Sequence, residues 1–218
     1  AWKAKYLVDV KNLEGMNGIT FDPQTGLTIG SAVSMNQVIA SPEVNAHYSV
    51  LAEAAQTVAS YQLRTRATIV GNICNASPAG DTTGPCLVLG GQLQVHSVDG
   101  TRTEPLSDFF VGPGKTKLQP GDIVTAISFP LPPQGYAAKY IKLGRNKIGD
   151  LAIVGVTALG YRDDTAASGY RFRLALASVA PVPLVPTKAE AILATESITE
   201  ATIDAAAQAA MTLPTSMA

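Results

Sequence analysis

The sequence lacks the features of disulfide-rich, nucleic-acid-binding and membrane-spanning proteins. It has only two cysteines in 218 residues, which are too few for a disulfide framework and fit a reducing compartment. The 16 Lys and Arg nearly balance the 17 Asp and Glu, which argues against binding to nucleic acid or to a charged membrane surface. The longest apolar runs, such as residues 151–159, are too short and too often interrupted by glycine to cross a bilayer. We therefore expect a globular, cytoplasmic protein with no nucleic-acid partner and no membrane insertion.

The residue patterns of common catalytic and metal sites are also missing. His47 and His96 lie far apart, and neither is near a carboxylate pair or a cysteine pair at metal-ligand spacing. There is no C-x-x-C, G-x-S-x-G, Walker or Rossmann glycine pattern. Cys74 and Cys86 are better explained as small buried residues than as ligands. Zinc, hydrolase and dinucleotide-binding sites of the common types are therefore disfavoured, and no metal site is predicted.

Short strands and helices alternate with turn residues along the chain, which indicates an α+β fold. Strands are expected at 5–10, 19–21, 27–29, 92–97, 102–105, 123–129, 136–143, 152–161 and 170–179, and a helix at 50–60. The chain has no start methionine and would begin inside the first of these strands, so we expect it to be a piece of a larger protein. The proline-rich stretch 130–135 is the best candidate for a domain boundary, because prolines break strand pairing. It divides the chain into domains 1–132 and 133–218.

Three capping-box patterns predict helix starts. In each, Ser or Thr is followed three residues later by Glu or Gln: Ser34 with Gln37, Thr187 with Glu190, and Ser197 with Glu200. The last two patterns open alanine-rich segments. Residues 188–218 carry one basic and four acidic side chains, as expected for solvated helix faces.

Residues 66–81 have the composition of a ligand-binding loop. Hydroxyl, amide and glycine positions alternate there without an apolar face, so we do not expect a core element. Gly71 would let the backbone approach a ligand closely, and neighbouring N–H groups could hold a phosphate. Asp81 could cap a short helix or accept hydrogen bonds from sugar hydroxyls. From the residues alone, a tight structural loop explains the pattern equally well.

Four segments of the sequence are similar to motifs that occur together in one known family. Residues 68–81 are similar to T-I-G-G-N-x-x-x-A-S-P-x-x-D. Residues 109–116 are similar to F-F-x-G-P-G-K-T, and residues 118–124 to L-x-P-G-E-I-L. The spacing of Lys142, Arg145, Asp150 and Ala152 resembles K-x-x-R-x-x-x-x-D-x-A. In these motifs, which cover nearly the whole chain in order, the sequence resembles the FAD-binding subunit of the xanthine dehydrogenase and carbon monoxide dehydrogenase family of molybdenum hydroxylases, whose flavin loop corresponds to the first segment.

The resemblance implies an FAD-binding fold of the vanillyl-alcohol oxidase type, mostly its second subdomain, followed by a small C-terminal sheet-plus-helices domain. It also implies the positions that contact the cofactor, which are Val58, Ala59, Thr68, Gly71, Asn72, Asp81, Val124 and Lys142. Thr68, Gly71 and Asn72 would line the diphosphate and ribityl region. Asp81 would bind hydroxyls, Val124 would pack beside the ring, and Lys142 would contact its edge.

Several of these positions have simpler explanations. Thr68 could be an ordinary strand residue, and Asp81 a helix cap. Lys142 could be a surface lysine in a solvated cluster with Lys139, Arg145 and Lys147. Arg145 and Asp150 are better explained as a structural ion pair than as catalytic groups.

The function implied by the resemblance is electron transfer. FAD in this subunit would take electrons from [2Fe-2S] clusters on a small partner subunit and pass them to a small-molecule acceptor such as NAD+. A large partner subunit would hold the molybdopterin cofactor and oxidise the organic substrate, so no catalytic residue is expected in this chain.

A flavin-free scaffold subunit is the alternative, and two departures from the family pattern support it. Val70 stands where the family has the first of two glycines, and a β-branched residue disfavours positive φ there. The family's A-G-G-x-x-L phosphate loop is absent upstream of Tyr6, so we expect these residues alone to hold FAD poorly.

Overall fold

Ten strands and eight α-helices are found in the part of the chain that the structure, a computed structural model, describes: residues 5–6, 8–146 and 149–212. The strands are β1 (Ile19–Asp22), β2 (Gly26–Gly30), β3 (Gln92–Ser97), β4 (Gly100–Pro105), β5 (Phe110–Gly112), β6 (Lys115–Thr116), β7 (Ile123–Phe129), β8 (Ala137–Leu143), β9 (Val154–Arg162) and β10 (Tyr170–Ala177). The helices are α1 (Met35–Ala40), α2 (Pro42–His47), α3 (Ser49–Thr57), α4 (Tyr61–Arg64), α5 (Ile69–Cys74), α6 (Thr83–Val88), α7 (Thr187–Thr195) and α8 (Glu200–Met211).

The larger sheet has five antiparallel strands in the order β1-β2-β7-β3-β4. Its buried side chains, such as Leu93 and Val95 of β3, share one core with residues of the short helices α1, α2, α3, α5 and α6. Leu27, Leu93 and Ile127 are completely buried in this core together with Tyr48 from the start of α3. This sheet therefore supplies the rigid base on which the short helices and their loops are held.

The second sheet has the antiparallel order β10-β9-β8. Its inner face packs against α3 and α6, so that Tyr140, Thr157 and Ala175 are buried in contact with the first region. Its outer face packs against α7 and α8, where Ala189 and Leu193 join a small separate core. The two regions thus share one packed layer formed by α3, α6 and the inner face of the second sheet.

Most of the strands predicted from the sequence are found. The hairpin at 19–29, the hairpin around Asp99-Gly100 and the strand 123–129 are confirmed. The strand expected at 5–10 is wrong, because its described residues form no strand and the Asp9 carboxylate accepts the Lys11 N–H in a local turn instead. Leu7, in the same prediction, lies outside the described residues.

Only one of the three predicted capping boxes is confirmed. Ser34 and Gln37 form a complete box at α1. The box expected at Thr187 is wrong, because Glu190 accepts the Leu174 N–H of β10 (Oε1 to N, 2.7 Å) instead of reaching back along its own helix. The box expected at Ser197 is also wrong: α8 begins two residues later, with Thr199 as its N-cap.

The segment 66–81 is more ordered than its composition predicts. Residues 69–74 form α5, and its apolar side chains Ile69, Val70 and Ile73 are buried in the main core. The prediction that this stretch contributes no core element is therefore wrong, since one turn of helix gathers three apolar residues on a single face. Val70 has helical geometry, so its β-branched side chain meets no positive φ.

Candidate functional site

The candidate site begins where α3 ends. Val58 is the C-cap of α3, and Ala59 then takes a left-handed conformation with φ of +43°. A non-glycine residue in this region is strained, and it persists only when the surrounding structure holds it. The Arg64 guanidinium supplies that hold, because its Nη1 donates to the carbonyl oxygens of Val58 (2.8 Å) and Ala59 (3.4 Å).

Two cavities flank this turn. One, of about 450 Å³, is lined by Gln56, Thr57, Ala59, Ser60, Tyr61, Gln62 and Arg64. The other, of about 370 Å³, is lined by Met35, Val58, Arg66, Ala67, Thr68, Gly71, Asn72 and Asn75. The structure therefore brings five of the eight predicted site residues into the walls of two neighbouring cavities.

Thr68 and Gly71 form the start of α5 at the second cavity. Thr68 is the N-cap of α5, and its Oγ1 accepts the Gly71 N–H at 2.8 Å. A Cβ placed on Gly71 would press on this Thr68 Oγ1, at 3.0 Å, but would meet no other described atom within 4 Å outside its own helix, so the rest of the space in front of the glycine is open. Thr68 is thus a helix cap rather than a strand residue, and Gly71 lets the cavity extend to the backbone.

The remaining polar residues are linked by a chain of hydrogen bonds between the two cavities. The Asn72 side chain accepts from Thr82 Oγ1 at 2.7 Å, and Thr82 adjoins Asp81. Asp81 accepts from Tyr140 Oη (2.6 Å) and from Lys142 Nζ (2.8 Å). Lys142 also donates to the carbonyl oxygen of Thr57 at 3.2 Å, which returns to the wall of the first cavity.

This arrangement excludes two of the simpler explanations that the sequence allowed, one for Asp81 and one for Lys142. Asp81 is not a helix cap, because Thr82 occupies the N-cap position of α6 and both Asp81 oxygens face β8. Lys142 is not a surface lysine, since its side chain is only 11% exposed. Lys147, another member of the expected cluster, lies outside the described residues.

The electrostatics of the site are those of a buried ion pair. Side-chain exposure is 7% for Asp81 and 11% for Lys142. Burial, together with the neighbouring Asp81 carboxylate, raises the pKa of Tyr140 far above its usual value, so the phenol stays a hydrogen-bond donor. The cluster therefore contains one positive charge, one negative charge and one neutral donor.

The other predicted residues lie apart from this cluster. Val124 is buried in β7 opposite Val95, and neither cavity has it in its wall. Arg145 is 82% exposed and lies 3.6 Å from Asp150, whose carboxylate mainly accepts backbone N–H groups of its own loop. A further cavity, of about 670 Å³, is open to solvent on the second sheet, and none of the eight residues lines it.

Three functional positions were missed by the sequence reasoning. Arg64 was not predicted to belong to the site, although its guanidinium holds the Val58–Ala59 turn. Tyr140 lies two positions before Lys142 in β8, so strand alternation alone would have placed both side chains on one face. Thr57 acts through its backbone carbonyl, for which no side-chain signal exists.

The described residues offer neither a membrane span nor a metal cluster. No helix within 5–6, 8–146 and 149–212 combines the length and apolar character that crossing a membrane requires. Within the same ranges, no group of three or more His, Cys, Asp or Glu side chains could hold a metal ion.

Comparison with known proteins gives consistent matches along the chain. Residues 2–132 match the family model of the FAD-binding domain in molybdopterin dehydrogenase, and residues 139–215 match the CO dehydrogenase flavoprotein C-terminal domain. The putative xanthine dehydrogenase FAD-binding subunit of Escherichia coli K12 is 34% identical over 83% of this chain. The chain spans 61% of that relative's length.

Carbon monoxide dehydrogenase is similar in both sequence and structure. The medium chain from Hydrogenophaga pseudoflava is 31% identical over 96% of this chain and 71% of its own length. A solved structure of that organism's enzyme, lacking the Mo-pyranopterin moiety, matches with a TM-score of 0.83 and 32% identity, over 89% of this chain and 67% of its own. These matches confirm the resemblance found in the motifs: the chain belongs to the family of molybdopterin dehydrogenase FAD-binding domains that carry a CO dehydrogenase-type flavoprotein C-terminal domain.

Proposed function

We propose that the full protein is the flavoprotein subunit of a molybdenum hydroxylase. In this role it passes electrons from [2Fe-2S] clusters of a small partner subunit through FAD to an external acceptor such as NAD+. A large partner subunit holds the molybdopterin cofactor and oxidises the organic substrate. Family membership supports the flavin, and the relatives named as FAD-binding subunits and medium chains of dehydrogenases support the complex.

The observation that carries the proposal is the pair of cavities around the Val58–Ala59 turn. Their volumes, about 450 and 370 Å³, are in the range of ligand sites in proteins. The space in front of Gly71 is open, and Thr68 Oγ1 is the only atom that a Cβ there would approach. These residues fit an elongated cofactor that runs along backbone with few side chains in the way.

Each predicted residue has a role in this proposal. Thr68, Gly71 and Asn72 line the diphosphate and ribityl region, and Val58 with Ala59 forms the wall beside it. The FAD-binding domain, 1–132, is proposed to have the vanillyl-alcohol oxidase type of fold, and 133–218 forms the C-terminal domain. FAD, when bound, supplies chemistry that no side chain has, since it accepts electrons singly and delivers them as a pair.

The polar and ring contacts complete the assignment. Asp81 accepts hydrogen bonds from cofactor hydroxyls with the lone pairs that Tyr140 and Lys142 leave free. Lys142 would contact the edge of the ring, and Val124, although it lines neither cavity, would pack beside the ring from β7. None of these residues acts as an acid or base on the organic substrate.

The Gly71→Val variant tests the proposal. The added side chain would enter the open space at the second cavity, so FAD content should fall by more than tenfold in the full protein purified with its native partners. FAD released by denaturation and measured by its fluorescence gives the occupancy per chain.

Gly18→Val is the matched control, because Gly18 has an ordinary φ and a Cβ added to it would have no atom within 4 Å. It should keep the wild-type FAD content. Full occupancy in Gly71→Val would show that the cofactor does not pass this glycine. Wild-type protein without FAD would support the flavin-free scaffold instead.

A further inference from the structure

Asp81, Tyr140 and Lys142 form a closed polar cluster between the two regions of the chain, which we term the Asp81 cluster. Asp81 belongs to the loop before α6, whereas Tyr140 and Lys142 project from β8. Tyr140 donates to one carboxylate oxygen at 2.6 Å, and Lys142 donates to the other at 2.8 Å. Each oxygen therefore has its own donor from the same strand.

Because Asp81 and Lys142 are both buried, each charge depends on the other for its stabilisation. Both side chains are about nine-tenths buried, and a buried charge that loses its partner is strongly disfavoured. Because the charges lie within 3 Å, their fields oppose each other at any point farther away. A neighbouring group therefore experiences the electrostatic field of the Asp81–Lys142 dipole, and not the field of a free Lys142 cation.

The cluster also holds the walls of both cavities. Lys142 donates to the Thr57 carbonyl in the first cavity wall, and Thr82, next to Asp81, donates to Asn72 in the second. A change in the ion pair would therefore reach the first wall through the Lys142 hydrogen bond to Thr57, and the second wall through the backbone that joins Asp81 to Thr82.

We propose that Asp81 and Lys142 act on the flavin as a single closed ion pair, and that Tyr140 is the positioning residue that keeps this pair closed. The inference rests on the proposed function. In place of separate contacts of Asp81 and Lys142 with the flavin, it treats the two side chains as one coupled unit. Removing Lys142 leaves a negative charge, so a flavin that gains negative charge on reduction becomes harder to reduce. Removing Asp81 leaves a positive charge and has the opposite effect.

A double-mutant cycle tests the coupling. Asp81→Asn, Lys142→Met and the double variant are made in the full chain and purified with its native partners, and FAD affinity and midpoint potential are measured. We expect opposite shifts of potential in the single variants and a smaller shift in the double variant than in either. FAD affinity should likewise fall more in each single variant than in the double.

A second ion pair on the same strand is the matched control. Lys139 and Glu53 also join β8 to the first region, but their side chains are 67% and 31% exposed, and the one bond from this pair to the cluster is from the Tyr140 backbone N–H to Glu53 Oε2 (3.1 Å), which a glutamine oxygen can also accept. Lys139→Met, Glu53→Gln and their combination should leave the flavin potential unchanged.

If Asp81→Asn or Lys142→Met alone loses all FAD, the potential cannot be measured in that variant. Recovery of FAD in the double variant then supports the inference, and failure to recover FAD overturns it.

The role of Tyr140 is tested by removing only its hydroxyl. Tyr140→Phe should shift the midpoint potential because the carboxylate loses one donor, whereas Tyr136→Phe, which loses a 2.6 Å bond to the His47 carbonyl, should not. Additive losses of FAD affinity in the Asp81→Asn and Lys142→Met double variant, potential shifts of the same sign in the two single variants, or equal potentials in Tyr140→Phe and wild type would overturn the inference. Wild-type FAD content is the separate test of the proposed function, since a flavin-free wild type refutes that function before any variant is compared.

Discussion

The two regions of the molecule bury their apolar residues in different ways. The first region has a continuous core around the five-stranded sheet, in which side chains such as Leu27, Leu93 and Ile127 have no exposed surface. The second sheet has a small outer core, and Ile141 and Leu143 on β8 are 62% and 57% exposed. The second sheet is therefore stabilised mainly through its inner face, and that shared face is where the Asp81 cluster lies.

The difference in packing should have its largest effect on how much the free energy of unfolding falls when a core side chain is truncated. Ile127→Ala should lower the free energy of unfolding by about 2–5 kcal/mol, because the surrounding core leaves a cavity that it cannot close. Leu193→Ala, at the edge of the small core between α7, α8 and β10, should cost about 2 kcal/mol or less. Urea unfolding curves of the two variants measure both values, and equal costs would contradict the comparison.

The contact between the two regions can be tested at Gly84 in α6. A Cβ on Gly84 would lie 2.5 Å from Thr157 Oγ1 and 3.6 Å from the Ala175 side chain of the second sheet. Gly84→Ala should therefore destabilise the protein by about 1–3 kcal/mol through overpacking, as measured by urea unfolding.

Thr157 provides the compensating change for this test. Its Oγ1 is buried and has no hydrogen-bond partner among the residues that the structure describes. Thr157→Ala removes the clashing atom, so the Gly84→Ala and Thr157→Ala double variant should be more stable than Gly84→Ala alone. A double variant that is less stable would show that the close approach is not the cause.

The smallest expected effect concerns Asp122, within the first region. Hydrogen bonds from Arg102 and from the Gln119 N–H hold the pKa of Asp122 at about 2. A carboxyl whose pKa is depressed by folding stabilises the folded state above its unfolded pKa, about 4, and loses that contribution as the pH falls towards 2. Asp122→Asn should thus lower the urea midpoint at pH 7, and its difference from wild type should shrink between pH 4 and pH 2.

An ion pair in the second region is the control for Asp122. Asp164 lies 3.4 Å from Arg162, but its side chain is 87% exposed, whereas that of Asp122 is 4% exposed. Asp164→Asn should leave the urea midpoint unchanged because exposed ion pairs contribute little. A change as large as that of Asp122→Asn would show that burial is not what distinguishes the two pairs.

The sequence alone determined the hairpins and the family. The strands on either side of Asp99-Gly100 and the strand 123–129 follow from alternation and turn residues, which act between near neighbours in the chain. The capping box at Ser34 is equally local and is confirmed. The flavin-loop and C-terminal motifs also predicted the family correctly, because they depend on residue order and not on contacts.

Only the tertiary structure decided which side chains meet. Asp81 is 59 residues from Tyr140 and 61 from Lys142, so no spacing within either segment predicts the cluster. The failed capping box at Thr187 has the same origin, since the β10 backbone offers Glu190 a donor that its own helix does not. The physical reason is that a buried polar group must form its hydrogen bonds with whatever donors and acceptors lie within about 3 Å of it. For Asp81, those partners are determined by the packing of α6 against the second sheet.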